Sequence, residues 1–95
     1  MNHDGPRWDF QKPKDFQKQI LKLPQSIRSK LTQVMTELSN SHKPNQLGNK
    51  KKAKYGVYYT IRLSESYRIA YASSQVTRRI EIYRVGDHEQ VHNKD

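Results

Sequence analysis

The sequence has no cysteine, few hydrophobic residues and half as many acidic as basic side chains. Without cysteine no disulfide can form, which is in keeping with a reducing compartment. Only 33% of the 95 residues are hydrophobic, so a single domain with a modest core is expected. No segment approaches the roughly 18 apolar residues of a membrane span. The opening residues, MNHDGPRWDF, lack the apolar segment of a signal peptide, and we expect a cytoplasmic protein.

The charge is strongly unbalanced. Eighteen Lys and Arg residues against nine Asp and Glu residues give a formal net charge of +9. Such a surface attracts nucleic acid, an acidic protein or an anionic membrane. A solvated basic surface without a specific partner is the alternative interpretation.

Two amphipathic segments predict a helical hairpin over residues 13–39. In the first, Phe16, Ile20 and Leu23 recur at helical spacing and mark one face. Pro24 then interrupts the pattern and fits the start of a second helix. The apolar residues of that second helix form one stripe, which predicts a core-facing side: Ile27, Leu31, Val34, Met35 and Leu38.

Alternating side chains predict strands in the second half of the chain. Residues 55–85 have the pattern of an antiparallel meander with turns at 64–66 and 73–75. The short aromatic segment 7–10 predicts an edge strand. Residues 40–54 are polar, with a proline, a glycine and a run of lysines, and they predict a loop.

Together these elements predict an α+β fold in a single domain over residues 1–95. Helices followed by a meander favour two N-terminal helices packed on one face of a small antiparallel sheet. The other face would be open and would carry Arg62 and Arg68 side by side across the hairpin at 64–66. Gly86 is expected to end the last strand, and residues 86–95 to form a tail.

Four short motifs follow one another along the chain: F-x-K-x-I-x-K-L-P at 16–24, Y-x-I-R-L at 59–63, S-Y-R-I-A-Y at 66–71 and Y-R-V-G-D-H-E-Q-V-H at 83–92. In order and spacing they resemble the RelE/ParE superfamily, the toxins of bacterial and archaeal toxin–antitoxin pairs. The resemblance extends from about Arg7 to His92. It implies the RelE/ParE fold and a toxin that is either a ribosome-dependent mRNA endonuclease or a gyrase poison.

The resemblance also implies partners and site residues. The protein partner would be an acidic antitoxin, the target would be mRNA on the ribosome, and operator DNA would be contacted only through the antitoxin. After Gly86 the chain has Asp87 and His88, where many relatives have His-Arg, and His92 stands in place of a tyrosine. The G-x-H form is similar to the YafQ-type members, in which this histidine is a catalytic acid, so the resemblance implies that role for His88.

Histidine and arginine are the residue types that suit RNA cleavage without a metal ion. The adjacent 2′-hydroxyl attacks phosphorus, so the step needs a base, an acid for the departing 5′-oxygen and a cation for the phosphate charge. Histidine titrates near pH 6.5, and arginine presents a planar fork of donors to phosphate. We therefore predict Arg68, His88 and His92 as catalytic residues. The predicted RNA-binding residues hold the backbone by charge or stack on bases: Arg62, Lys51, Lys52, Lys54, Tyr58 and Tyr83.

Each assignment has an alternative. His88 and His92 could be incidental surface residues, and Arg68 could pair with Glu65 or Glu81. The H-x-x-x-H spacing also permits metal binding, but the sequence offers no cysteine and no convincing third ligand, so we expect no metal and no other cofactor. For the whole chain, the alternatives to an mRNA endonuclease are a non-catalytic gyrase inhibitor and an inactive relative that only binds the antitoxin.

Overall fold

Two helices pack on one face of a five-stranded sheet, which confirms the predicted α+β architecture. This computed structural model describes residues 8–54 and 56–87. Its helices and strands are, in chain order, β1 (Asp9–Gln11), α1 (Phe16–Leu21), α2 (Gln25–Asn40), β2 (Asn49–Ala53), β3 (Gly56–Arg62), β4 (Tyr67–Ser74) and β5 (Arg79–Asp87).

The strands lie in the order β1-β5-β4-β3-β2. Strands β2 to β5 form an antiparallel meander, as predicted. Strand β1 lies at the edge beside β5, but it runs parallel to β5. A parallel neighbour needs a long crossover, and here the two helices and the first three meander strands supply it. The parallel edge pair was not anticipated from the sequence.

In the part of the chain that the structure describes, no helix is long and apolar enough to cross a membrane.

The predicted helical stripes form the core. Burying a large apolar side chain contributes about 1.5–3 kcal/mol to the free energy of unfolding, so the apolar stripes are the main source of the stability that holds the helices on the sheet. The buried residues of the two helices and the turn between them are Phe16, Leu23, Ile27, Leu31, Val34 and Leu38, and the sheet residues beneath them are Ile69, Tyr71, Ile80, Ile82 and Val85.

The lysine-rich segment is a strand, where the sequence predicted a loop. Residues 49–53 form β2 and pair with β3 along five residue pairs. Lysines at an edge strand keep it soluble and discourage pairing with other chains, so their presence concealed the strand. A short 3₁₀ turn, Pro44–Leu47, leads into β2. The Tyr71 hydroxyl fixes this turn to β4 by donating a 2.6 Å hydrogen bond to the Pro44 carbonyl.

Two further boundaries differ from the prediction. Strand β5 continues through Gly86 to Asp87, because the backbone of Gly86 still pairs with β4. The second hairpin turn spans 75–78 rather than 73–75, because β4 extends to Ser74. Arg78 closes this turn in a left-handed conformation, with a φ of 57°.

Candidate functional site

A pair of arginines lies on the sheet face opposite the helices, hereafter the open face. Arg62 of β3 is the direct neighbour of Arg68 of β4, and Arg68 is in turn the neighbour of Gly86 of β5. The predicted side-by-side arrangement of the two arginines is thus confirmed. Opposed side chains have Cβ atoms about 5 Å apart, and like charges there destabilise a sheet. Such an arrangement is typical of a site that receives an anion.

The adjoining row of the open face contains a third arginine, which the sequence reasoning missed. Thr60 pairs with Ala70, and Ala70 pairs with Arg84. Strict alternation from Ile82 would place Arg84 on the helix side. However, the register between β4 and β5 shifts by one residue between Ala70 and Tyr71, which turns Arg84 to the open face. A β-bulge of this kind re-aims side chains, and no residue type in the segment marks it.

Two tyrosines on the open face differ in exposure. Tyr58 is 8% exposed and packs against Ala70 and Ala53, so little of its ring is free for the predicted base stacking. The open face is therefore not solvent-exposed at Tyr58, which the sequence did not predict. Tyr83 is 44% exposed. Burial of its hydroxyl, and then the charge of Glu81, raise the pKa of Tyr83, so it remains a neutral donor. Tyr83 is the better placed of the two for stacking.

The three predicted RNA-binding lysines do not share one surface. Lys51 lies opposite Tyr58, and therefore on the open face, whereas Lys52 lies opposite Val57. Because successive side chains of a strand point to opposite faces, Lys52 belongs to the helix side. Lys54 follows β2 in the turn before β3. The part of the open face that carries Arg62, Arg68 and Arg84 is hereafter the arginine face, and of these lysines only Lys51 extends it along β2.

The predicted histidines lie outside the described residues. The strand that precedes them is well placed, since Gly86 pairs with Arg68 and Asp87 pairs with Tyr67. The first two residues of the predicted tail 86–95 therefore belong to β5. Within residues 8–54 and 56–87, no three His, Cys, Asp or Glu side chains are grouped so that they could hold a metal ion.

Helix α1 fixes the end of β5 through one side chain. The backbone N–H of Val85 donates to Gln19 Oε1 at 2.9 Å, and Gln19 Nε2 donates to Asp15 Oδ1 at 2.8 Å. Gln19 is itself buried. This contact sets the position of the strand segment that carries Arg84 and Gly86, and thereby one side of the arginine face. A glutamine on a helix gives no signal of this role in the sequence.

Solved structures with the same architecture include toxins and toxin–antitoxin complexes. The RelBE2 toxin–antitoxin complex from Mycobacterium tuberculosis matches with a TM-score of 0.70 and 17% identity, over 92% of this chain and 98% of that one. The RelB–RelE complex from Methanococcus jannaschii matches with a TM-score of 0.64 and 28% identity, over 87% and 95%. YafQ from E. coli matches with a TM-score of 0.64 and 16% identity, over 90% and 99%.

No protein-family model and no curated protein sequence matches the chain. The similarity to known proteins is therefore one of structure, and it extends over nearly the whole chain and nearly the whole of each neighbour. The neighbours share the two helices and the mainly antiparallel sheet that position Arg62 and Arg68. The fold of this chain is that of the RelE-like toxin superfamily.

Proposed function

We propose that this chain is the toxin of a type II toxin–antitoxin system and that it stops translation by cleaving mRNA on the ribosome without a metal ion. The observation that carries the proposal is the pairing of Arg62 with Arg68 on the open face of a RelE-like sheet. Two cations held side by side suit a phosphodiester, because its oxygens gain charge as the bond is cleaved.

The roles follow from the chemistry of the residues. The 2′-oxygen of the RNA attacks phosphorus, the bond to the 5′-oxygen breaks, and a 2′,3′-cyclic phosphate remains. Arg68 donates to the phosphate oxygens as their charge develops, and Arg62 holds the neighbouring backbone. His88 lies two residues after Gly86 in the sequence. It protonates the departing 5′-oxygen, and His92 assists, as the base that accepts the proton of the 2′-hydroxyl.

The proposed protein partner is an acidic antitoxin. The M. tuberculosis and M. jannaschii neighbours are complexes of a toxin with its antitoxin. The net charge of +9 favours an acidic segment that folds as it binds and covers the arginine face. Contact with operator DNA would then occur through the antitoxin. If charge steers the association, complex formation weakens as salt is added.

Pulse labelling after induction tests the proposed function. Expression of the chain alone in a bacterial host should arrest incorporation of amino acids into protein before DNA synthesis changes. Arg68→Ala should abolish the arrest at equal protein level. If DNA synthesis stops first while translation continues, the chain acts as a gyrase inhibitor and the proposal is wrong. If neither stops, the chain is an inactive relative.

A further inference from the structure

A shallow recess of about 560 Å³ lies on the open face beside the arginine face, where β1, β5 and β4 run next to one another. Glu81 of β5 stands in it between its two neighbours in the sheet, Gln11 of β1 and Ala72 of β4. Because the side chain of Ala72 is a single methyl group, the floor next to Glu81 is low. Tyr83, two residues further along β5, lines the same recess.

The carboxylate of Glu81 is available to a ligand. Glu81 is exposed, and within residues 8–54 and 56–87 its side chain takes part in no hydrogen bond or ion pair, not even with Arg79 two residues away. In the described part of strands β2 to β5 it is the one acidic side chain on the open face. Its negative charge repels RNA phosphates, whereas its acceptor oxygens suit the N–H groups of a base.

The tyrosine ring lies close to this carboxylate. Tyr83 is 44% exposed, so a face of its ring is open to a ligand. Burial of its hydroxyl, and then the charge of Glu81, raise the pKa of Tyr83, which places the two side chains near each other. Bases of single-stranded RNA are bound in this way, by stacking on an aromatic ring and by hydrogen bonds to the Watson–Crick edge.

Guanine is the RNA base whose hydrogen-bonding pattern complements a carboxylate. Its Watson–Crick edge presents two adjacent donors, N1–H and N2–H, and the two carboxylate oxygens accept both in parallel. Adenine, cytosine and uracil each present one donor there, next to an acceptor that repels the carboxylate. The recess therefore favours guanine over the other three bases.

We propose that this recess recognises a guanine of the RNA strand, with Glu81 accepting from N1–H and N2–H while the Tyr83 ring stacks on the base. The inference rests on the proposed function and names a feature of its substrate. Ala72, beside Glu81, is four residues from Arg68 along β4, a separation of about 13 Å. The guanine thus belongs to a nucleotide near the cleaved bond, and the two residues determine which sequence is cleaved without taking part in the cleavage.

Substituted mRNAs test the proposal. Guanine, inosine or adenine is placed at each position in turn on either side of the cleaved bond, in an otherwise pyrimidine sequence. Inosine keeps N1–H and O6 of guanine and lacks only the N2 amino group. The value of kcat/KM for the full chain is measured with and without ribosomes. At one position the wild type should prefer guanine to adenine by about tenfold or more, with inosine between them.

Variants connect this preference to the recess. Glu81→Gln should cleave the guanine and inosine mRNAs equally well, because an amide accepts N1–H and donates to O6, groups that both bases share. Glu37→Gln removes the same charge from an exposed position on α2 and should keep the wild-type ratio. Tyr83→Leu should lower kcat/KM about fivefold or more for all three mRNAs alike, since stacking does not distinguish them. A structural or purely electrostatic role of Glu81 would change all three rates by one factor.

Two results would overturn the assignment of the recess. The first is equal cleavage of the guanine and inosine mRNAs by the wild type at every position. The second is a wild-type preference for guanine over inosine in Glu81→Gln. In both cases the chain still cleaves RNA, so the proposed function stands. A wild-type protein that cleaves none of the mRNAs under either condition would refute the proposed function and this inference with it, so the two failures are distinguishable.

Discussion

The side-chain oxygen of Gln19 on α1 accepts the backbone N–H of Val85 on β5, across 66 residues of sequence. Strand β1 pairs with β5 only along residues 79–81, so within residues 8–54 and 56–87 no strand neighbours the edge of β5 beyond that point. Gln19 supplies there the acceptor that a strand would otherwise provide. The open face thus depends on a contact made on the opposite side of the sheet.

Replacement of Gln19 should destabilise the protein. Gln19→Ala leaves a buried N–H on Val85 without an acceptor, which costs about 1–3 kcal/mol in the free energy of unfolding. Urea unfolding measures the loss, and hydrogen exchange at the Val85 amide should accelerate. Gln17→Ala, on the exposed side of the same helix, is the matched control and should change stability little. An equal effect in both variants would contradict the role of the contact.

Gly48 and Tyr71 should be energetically coupled. A Cβ at Gly48 would lie 2.7 Å from the Tyr71 hydroxyl oxygen and 3.0 Å from the Thr60 carbonyl oxygen. Gly48→Ala should therefore destabilise by about 1–3 kcal/mol through overpacking. In the Tyr71→Phe background the first clash is absent, so the cost of the alanine should be smaller, by on the order of 1 kcal/mol. A double-mutant cycle from chemical denaturation measures the coupling free energy between the two positions. Strictly additive changes in stability would argue against the close approach of Gly48 to the Tyr71 hydroxyl.

Tyr71 should also make stability fall at high pH. Burial, and then the nearby Tyr59, raise the pKa of Tyr71 above its ordinary value of 10.0. The contribution of Tyr71 to the free energy of unfolding is fully present below pH 10, where both the folded and unfolded states keep the phenol proton. Above pH 10 the unfolded state loses that proton first, so the free energy of unfolding falls. Tyr71→Phe should be less stable at pH 7, through loss of the bond to Pro44, and should show a shallower decline above pH 10. An identical slope in both proteins would contradict the raised pKa.

The sequence predicted the parts of the fold that depend on periodicity. The apolar stripes of α1 and α2 predicted a layer of helices, and the alternation in the meander predicted the sheet beneath them. The side-by-side positions of Arg62 and Arg68 followed from the one hairpin that joins β3 to β4. It did not predict β2, because an edge strand of lysines has the composition of a loop. It also missed Arg84, whose face is set by a register shift that no local pattern encodes. Contacts between distant segments, such as Gln19 with β5, cannot be read from local spacing.

Replacing the C-terminal histidines should test acid–base catalysis separately from RNA binding. His88→Ala should slow RNA cleavage by about 100- to 10,000-fold, the usual cost of a lost general acid. His88→Gln should be nearly as harmful, because glutamine is polar but does not titrate. His92→Tyr, which restores the residue common in relatives, should retain activity. The matched control is His42→Ala, since His42 is exposed and lies outside the arginine face. Single-turnover cleavage rates would decide, and a full rate in His88→Ala would disprove its role.

The most direct test of the proposed function is RNA cleavage by the purified chain, with and without ribosomes, for wild type, Arg68→Ala and Arg79→Ala. The wild type should cleave mRNA in the presence of a chelator. Arg68→Ala should cleave roughly 100-fold more slowly or worse, because a donor fixed on developing phosphate charge is lost. Arg79→Ala, an exposed arginine on β5 at the other end of the sheet face, should keep most of the activity. Both variants should remain folded, which a thermal melt of each would show. An unchanged cleavage rate in Arg68→Ala, or no cleavage by the wild type under either condition, would contradict the account.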